Sequence, residues 1–160
     1  MGENIKMCRI LVFSDSHGKI DYMEQTLQTI GAVDLVVHLG DMVCDANDLA
    51  ALHPEYKYCV IRGNNDFLST APDEKILTAG GFRIFATHGH GYGVKTGLSR
   101  LLRRAKENQV QVVLYGHTHQ GYCGEQEGIL FLNPGCGRSY CETSYGIIEI
   151  ENGKLKGCII

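Results

Sequence analysis

The stretch Arg9-Ile10-Leu11-Val12-Phe13-Ser14-Asp15-Ser16-His17-Gly18 (RILVFSDSHG) passes from an apolar run into serine, aspartate, histidine and glycine. An apolar run of this length bounded by turn residues reads as a buried strand opening into a loop. The same order of residues recurs along the chain. Asp34 to Leu39 ends in Gly40-Asp41, and Tyr56 to Ile61 runs into Gly63-Asn64. Phe82 to Ala86 ends in Thr87-His88-Gly89-His90-Gly91, and Val110 to Tyr115 ends in Gly116-His117-Thr118-His119.

Helical periodicity separates several of these strands. Ile20, Met23, Leu27 and Ile30 share one face, with Asp21 and Glu24 at capping-box spacing and Gly31 as a stop. A short helix is expected from Ala46 to Leu52, before Pro54. Another is expected from about Gly97 to Asn108, with Leu98, Leu101, Leu102 and Ala105 inward and Arg100, Arg103 and Arg104 on a solvated face. Lys75 to Thr78 and Phe82 to Ala86 flank Gly80-Gly81 and read as a hairpin. Ile129 to Leu132, Tyr145 to Ile150 and Lys154 to Ile159 make the last third β-rich. Strands alternating with helices predict an α/β fold with a partly parallel sheet, and the β-rich end predicts a second sheet or an antiparallel extension. The length of 160 residues suits one domain spanning 1–160.

Composition narrows the function classes. The net charge of −3 and the absence of a long basic tract argue against a nucleic-acid surface. No apolar stretch is long enough to span a membrane. The seven cysteines are odd in number and lack CxxC spacing, so no disulfide framework or structural zinc site is expected, and a cytoplasmic location is.

Open α/β sheets bind ligands beyond the carboxyl ends of their strands. Five strand ends deliver Asp15 and His17, Asp41, Asn64, His88, and His117 and His119. Each has a plainer reading alone: Asp15 and Asn64 as turn residues, His17 and His88 as rings satisfied by backbone. Asn64 sits in Val60-Ile61-Arg62-Gly63-Asn64-Asn65-Asp66, where it either bends the chain or also holds an ion. His38 lies within a strand and reads as structural, and His53 near a helix end suits the dipole. The doublet His117-x-His119 aims both rings one way if extended, or divides them between two ions on a sharp turn. Imidazoles, two carboxylates and an amide suit manganese, iron, cobalt, nickel or zinc better than calcium or magnesium alone. Seven ligands exceed one tetrahedral ion and fit a pair sharing a carboxylate. With two divalent ions the site would carry a charge of roughly +2, suited to a phosphate ester.

The ordered set Asp15-x-His17, Gly40-Asp41, Gly63-Asn64, His88, Gly116-His117-x-His119 resembles the calcineurin-like metallophosphoesterases. Thr87 to Gly93 (THGHGYG) and Asn133-Pro134-Gly135 resemble their small single-domain bacterial and archaeal phosphodiesterase branch. The resemblance implies an α/β sandwich of two mixed β-sheets flanked by helices. It implies two divalent transition-metal ions, manganese foremost, one held by Asp15, His17, Asp41 and His119 and the other by Asp41, Asn64, His88 and His117. It also implies in-line attack on phosphorus by a metal-bridging hydroxide. Asn65 departs from the pattern, because many relatives carry a leaving-group histidine there. An amide can hydrogen-bond an oxyanion but cannot donate a full proton. His90 either supplies that donor or only packs in its loop, and Asp66 reads as a supporting or turn residue.

The leading expectation is a phosphodiesterase acting on a small phosphate ester. A phosphomonoesterase or nuclease on the same site, or a non-catalytic protein-interaction scaffold of the same fold, are the alternatives. A homo-oligomer stays open.

Overall fold

Strand β1 (Cys8–Phe13) turns Ile10 and Val12 into one apolar cluster and Leu11 and Phe13 into another, with all four fully buried. A strand covered on both faces loses the polar half of the usual alternation, which is why its sequence is an unbroken apolar run. The computed structural model describes residues 6–137 and 143–160.

Two five-stranded sheets face each other across the first of these clusters. In one, β1 pairs in parallel with β2 (Leu35–His38), and β2 with β3 (Tyr58–Val60). The antiparallel strands β9 (Gly146–Glu151) and β10 (Lys154–Ile159) complete it, in the order β10-β9-β1-β2-β3. In the other, β4 (Glu74–Ala79) and β5 (Phe82–Thr87) form the Gly80-Gly81 hairpin. Strand β5 runs parallel to β6 (Val112–Leu114), and β6 to β8 (Ile129–Pro134). The edge is β7 (Gly121–Gln126), antiparallel to β8.

Helices cover the outer faces. Met23 and Leu27 of α1 (Ile20–Thr29) and Leu49 of α2 (Val43–Leu52) pack with Leu11, Phe13, Val36 and Ile147. Leu101 and Ala105 of α3 (Ser99–Glu107) pack with Phe85, Val113 and Phe131 on the second sheet. The expected α/β sandwich of two mixed sheets flanked by helices is therefore present. No helix among the described residues is long and apolar enough to cross a membrane.

Four local expectations are corrected. The capping box at α1 does not form: Lys19 is the N-cap without a side-chain cap, and Glu24 instead meets His53 Nε2 at 3.0 Å. Helix α2 starts three residues before Ala46, because a carboxylate remote in sequence caps it, as described below. Strand β7 escaped the sequence reading because an edge strand with mostly exposed residues and two glycines carries no apolar period. Cys8, Cys44, Cys59, Cys123 and Cys158 are free as expected, whereas Cys136 is disulfide-bonded. Cys141 lies outside the described residues.

His53, at the end of α2, links the two helices on the first sheet. Contact with Glu24 raises its pKa above the ordinary 6.5, and Glu55 at 3.4 Å adds to the effect. A folded-state pKa raised in this way gives stability that is full below the unfolded value and fades as pH rises through the folded one. His53→Gln is therefore expected to cost stability near pH 6 and little near pH 8. For a surface pair that solvent still reaches in part, the difference should stay under about 1 kcal/mol. Urea unfolding at both pH values measures it.

Candidate metal centre

The parallel strands of the two sheets bring their carboxyl ends together. From the first sheet come Asp15 and His17 after β1, Asp41 after β2, and Asn64 after β3. From the second come His88 after β5, and His117 and His119 after β6. Each of Asp15, His17, Asp41 and His119 offers a ligand atom, all within 4.8 Å of one another, so the four could hold a metal ion. His88 and His117 adjoin them: His88 Nε2 lies 3.6 Å from Asp41 Oδ1 and 3.2 Å from His117 Nδ1. Asn64 is exposed on the turn after Gly63, one residue before Asn65, which meets Asp41. His90 begins a 3-10 turn (His90–Tyr92), its ring 5.4 Å from that of His88 and 6.1 Å from that of His117.

The backbone here adopts conformations that sequence periodicity does not reveal. Asp15, His17, Asp41, His117 and His119 all have positive φ, from 46° to 70°. Left-handed backbone is uncommon for non-glycine residues and gathers at functional sites, where surrounding contacts over-determine it. It also settles the doublet. The turn divides the two rings, sending His119 Nε2 to 3.0 Å from Asp15 Oδ1 and His117 towards His88.

Close backbone approach requires glycine at two points. A Cβ on Gly63 would collide with the Asp41 carboxylate, and one on Gly116 with Ser14 and Asp15. The first contact presses two loops of one sheet together, and the second joins the loops of the two sheets. His88 Nδ1 at 2.8 Å from the Leu39 carbonyl adds a bond across the sheets. Since a carbonyl only accepts, Nδ1 carries the proton and Nε2 presents its lone pair to the cluster, the form a metal requires.

Both carboxylates are buried, Asp15 at 0% and Asp41 at 2% exposure. Burial pushes the Asp15 carboxyl up, but His119, His88 and Ser14 outweigh it and hold its pKa at about 2. Burial, and then the repulsion that a second protonated ring beside His88 would meet, lower His117 to about 4. Asp15 Oδ2 accepts from Ser14 Oγ at 2.5 Å and from the His117 N–H at 3.1 Å. Asp15 Oδ1 is fully buried and meets no well-aligned hydrogen bond among the described residues: His119 Nε2 is in reach at 3.0 Å but poorly directed, and two further imidazole nitrogens stand 3.9 and 4.0 Å away. A buried carboxylate oxygen left open amid imidazoles is what a divalent cation would satisfy, so the donor set fits such an ion.

Supporting residues surround the cluster, and the sequence alone gave no role to Ser16 or Asp45 among them. Asn65 donates through Nδ2 to Asp41 Oδ2 at 2.8 Å and through its backbone N–H to Asp41 Oδ1 at 3.1 Å. Asp66 accepts four backbone N–H bonds, from Asp41, Met42, Val43 and Gly63. Asn133 Nδ2 bonds the Gly116 carbonyl and Thr118 Oγ1, fixing the turn that carries His117 and His119. Ser16, His38 and Asp45 form a buried chain that resembles a nucleophile with its base and acid. Its polarity is the reverse of that. The Gly40 N–H occupies His38 Nδ1, so Nε2 carries the proton and donates to Ser16 Oγ, which donates to Asp45 Oδ2. The imidazole turns its N–H and not its lone pair to the serine, and the chain positions the loop between Asp15 and His17. Burial lowers His38 to about 4, in keeping with a neutral ring.

Residues 8–153 match the calcineurin-like phosphoesterase superfamily domain. The chain belongs to this superfamily. It is 38% identical over 152 residues to the probable metallophosphoesterase YsnB of Bacillus subtilis, covering 89% of this chain and 85% of that protein. Phosphodiesterase MJ0936 of Methanocaldococcus jannaschii is 25% identical over 180 residues, with 95% and 99% covered. A crystal structure of a predicted phosphoesterase from Streptococcus pneumoniae superposes with a TM-score of 0.81 at 30% identity, over 97% of this chain and 90% of that one. Within the superfamily, the cluster at the strand ends stands where the sequence resemblance expects divalent metal.

Proposed function

We propose that this chain is a dinuclear-metal-dependent phosphodiesterase, acting as one domain in the cytoplasm on small phosphate esters. The observation that carries this is Asp15 Oδ1, buried without a well-aligned hydrogen bond among the described residues and ringed by imidazoles. Asp15, His17, Asp41 and His119 would hold one ion and Asp41, Asn64, His88 and His117 the other, with manganese the expected metal. Such a pair supplies water activation near neutral pH and neutralises phosphate charge.

The chain's own groups do the rest. Asp15 and Asp41 place fixed negative charge at the centre, and the Leu39 carbonyl holds His88 in its ligating form. Asn65 spends one amide hydrogen on Asp41 and keeps one for the leaving oxygen. In hydrolysis water adds its oxygen to phosphorus, and the ester P–O bond breaks with its electron pair going to the leaving oxygen. With an amide at the position of an acid, that oxygen departs largely as its anion. A positioned general acid contributes about 10²–10⁴-fold, so alkyl esters should turn over slowly and activated aryl esters faster.

A series of phosphodiesters with graded leaving groups tests this: the rate should fall steeply as leaving-group pKa rises. A flat dependence would remove the role given to Asn65. The non-catalytic scaffold predicts instead that the purified protein binds metal weakly and hydrolyses none of the series. A nuclease predicts turnover of a DNA oligomer, which the charge of −3 disfavours.

A further inference from the structure

Beside the metal centre lies a groove of about 790 Å³, walled by Met42, Tyr58, Asn65, Phe67, Leu68 and Pro72 among others. Such a volume is ordinary for a small-molecule site. Phe67 is 82% and Leu68 99% exposed, a large cost in apolar surface for two adjacent residues beside a polar site. The groove is continuous with the centre. Asn65, one of its walls, bonds Asp41, and Asp66, another, fixes the Asp41 backbone. A smaller polar cleft of about 260 Å³, lined by Arg62, Asn64, Asp73 and His90, shares Asp66 and Phe67 with it. Phe67 therefore stands where a polar cleft beside the candidate ligands meets an apolar trough.

We infer that this groove receives the departing arm of the ester, and that the arm carries a flat aromatic ring lying against Phe67. The inference rests on the phosphodiesterase reading. The departing oxygen lies towards Asn65, so the group attached to it continues along the wall that Asn65 begins. An aromatic face offers a ring stacking at low conformational cost, and the trough is lined by no lysine or arginine that would match an anionic arm. The ring could belong to a simple aryl group or to a nucleoside base, which share this chemistry.

The test compares three phosphonates that lack a scissile bond: methylphosphonate, benzylphosphonate and the 5′-methylenephosphonate of thymidine. Calorimetry on the manganese-loaded protein gives their affinities for wild type, Phe67→Ala and Leu68→Lys. A ring-bearing probe should bind wild type about tenfold more tightly than methylphosphonate, and Phe67→Ala should erase that margin with metal content unchanged. Benzylphosphonate alone gaining identifies an aryl arm, and the thymidine probe gaining more identifies a nucleoside. Equal binding of all three, or a margin that survives Phe67→Ala, overturns the inference. So does a fall in molar mass by light scattering with Leu68→Lys and unchanged benzylphosphonate affinity, which would make this face a contact between copies of the chain. A wild type that keeps the ring preference but hydrolyses no diester would instead overturn the phosphodiesterase reading and leave the groove standing.

Discussion

Asp41→Ala is expected to lower hydrolysis of bis(p-nitrophenyl) phosphate by about a thousandfold or more and to reduce bound metal per chain. Asp41 stands between the two halves of the cluster. Its carboxylate belongs to the group formed with Asp15, His17 and His119, and its Oδ1 lies 3.6 Å from His88 Nε2. Removing it takes away one of two buried negative charges, so each proposed ion loses a ligand and part of the charge that compensates it. It also strips Asn65 of the acceptor for both of its bonds. Asp41→Asn separates these effects. An amide keeps an oxygen for Asn65 but not the charge, so the protein should fold like wild type and still bind less metal. Elemental analysis, initial rates and thermal unfolding of the three proteins decide it. Wild-type turnover by Asp41→Ala would end the assignment of Asp41 as the shared ligand.

Asp66→Ala is expected to destabilise the fold by about 3–5 kcal/mol and to weaken metal binding without touching a proposed ligand. The Asp66 carboxylate accepts from the backbone N–H groups of Asp41 and Gly63 through Oδ2, and of Met42 and Val43 through Oδ1, all at 2.8–2.9 Å. Burial pushes its carboxyl up, but these four bonds more than offset that and hold it below the ordinary range. Met42, with φ of 82°, leaves α2 without a local side-chain cap, so Asp66 satisfies the helix's first donors from across the site. A charged acceptor shared by four donors has no replacement in alanine, and water reaches this half-buried position only in part. Asp66→Asn keeps one acceptor oxygen and should fall between the two. Urea unfolding measures the loss, and metal titration at a temperature where both variants remain folded measures the second effect. A variant as stable as wild type would show that solvent satisfies these donors.

Much of the site was legible because burial and chemistry write different alphabets. Strands covered on both faces must be apolar, so the polar residues at their ends stand out, and Asp15, Asp41, His88, His117 and His119 could be read in order. Other features left no such mark. The edge strand β7 is mostly exposed and pairs on one side only, with β8, so periodicity passes over it. The true start of α2 depends on Asp66, which lies 23 residues beyond Val43 in the chain, and no local signal announces it. The Ser16–His38–Asp45 chain joins three elements, and its direction follows from which backbone N–H reaches His38.

The amino-acid order alone determined that this chain alternates strands and helices into an α/β fold with a β-rich end and which residue types crowd the strand ends, because burial acts on each strand separately and leaves its pattern there; the two-sheet sandwich came from the resemblance carried by the ordered motifs. Only the tertiary structure decided how those residues divide: His119 beside Asp15, His117 beside His88, and Asn65 on Asp41. That division depends on left-handed backbone at Asp15, Asp41 and the histidine doublet, and on loops pressed together at Gly63 within one sheet and at Gly116 between the two. Contacts distant in sequence enforce both, so no stretch of the chain carries them by itself.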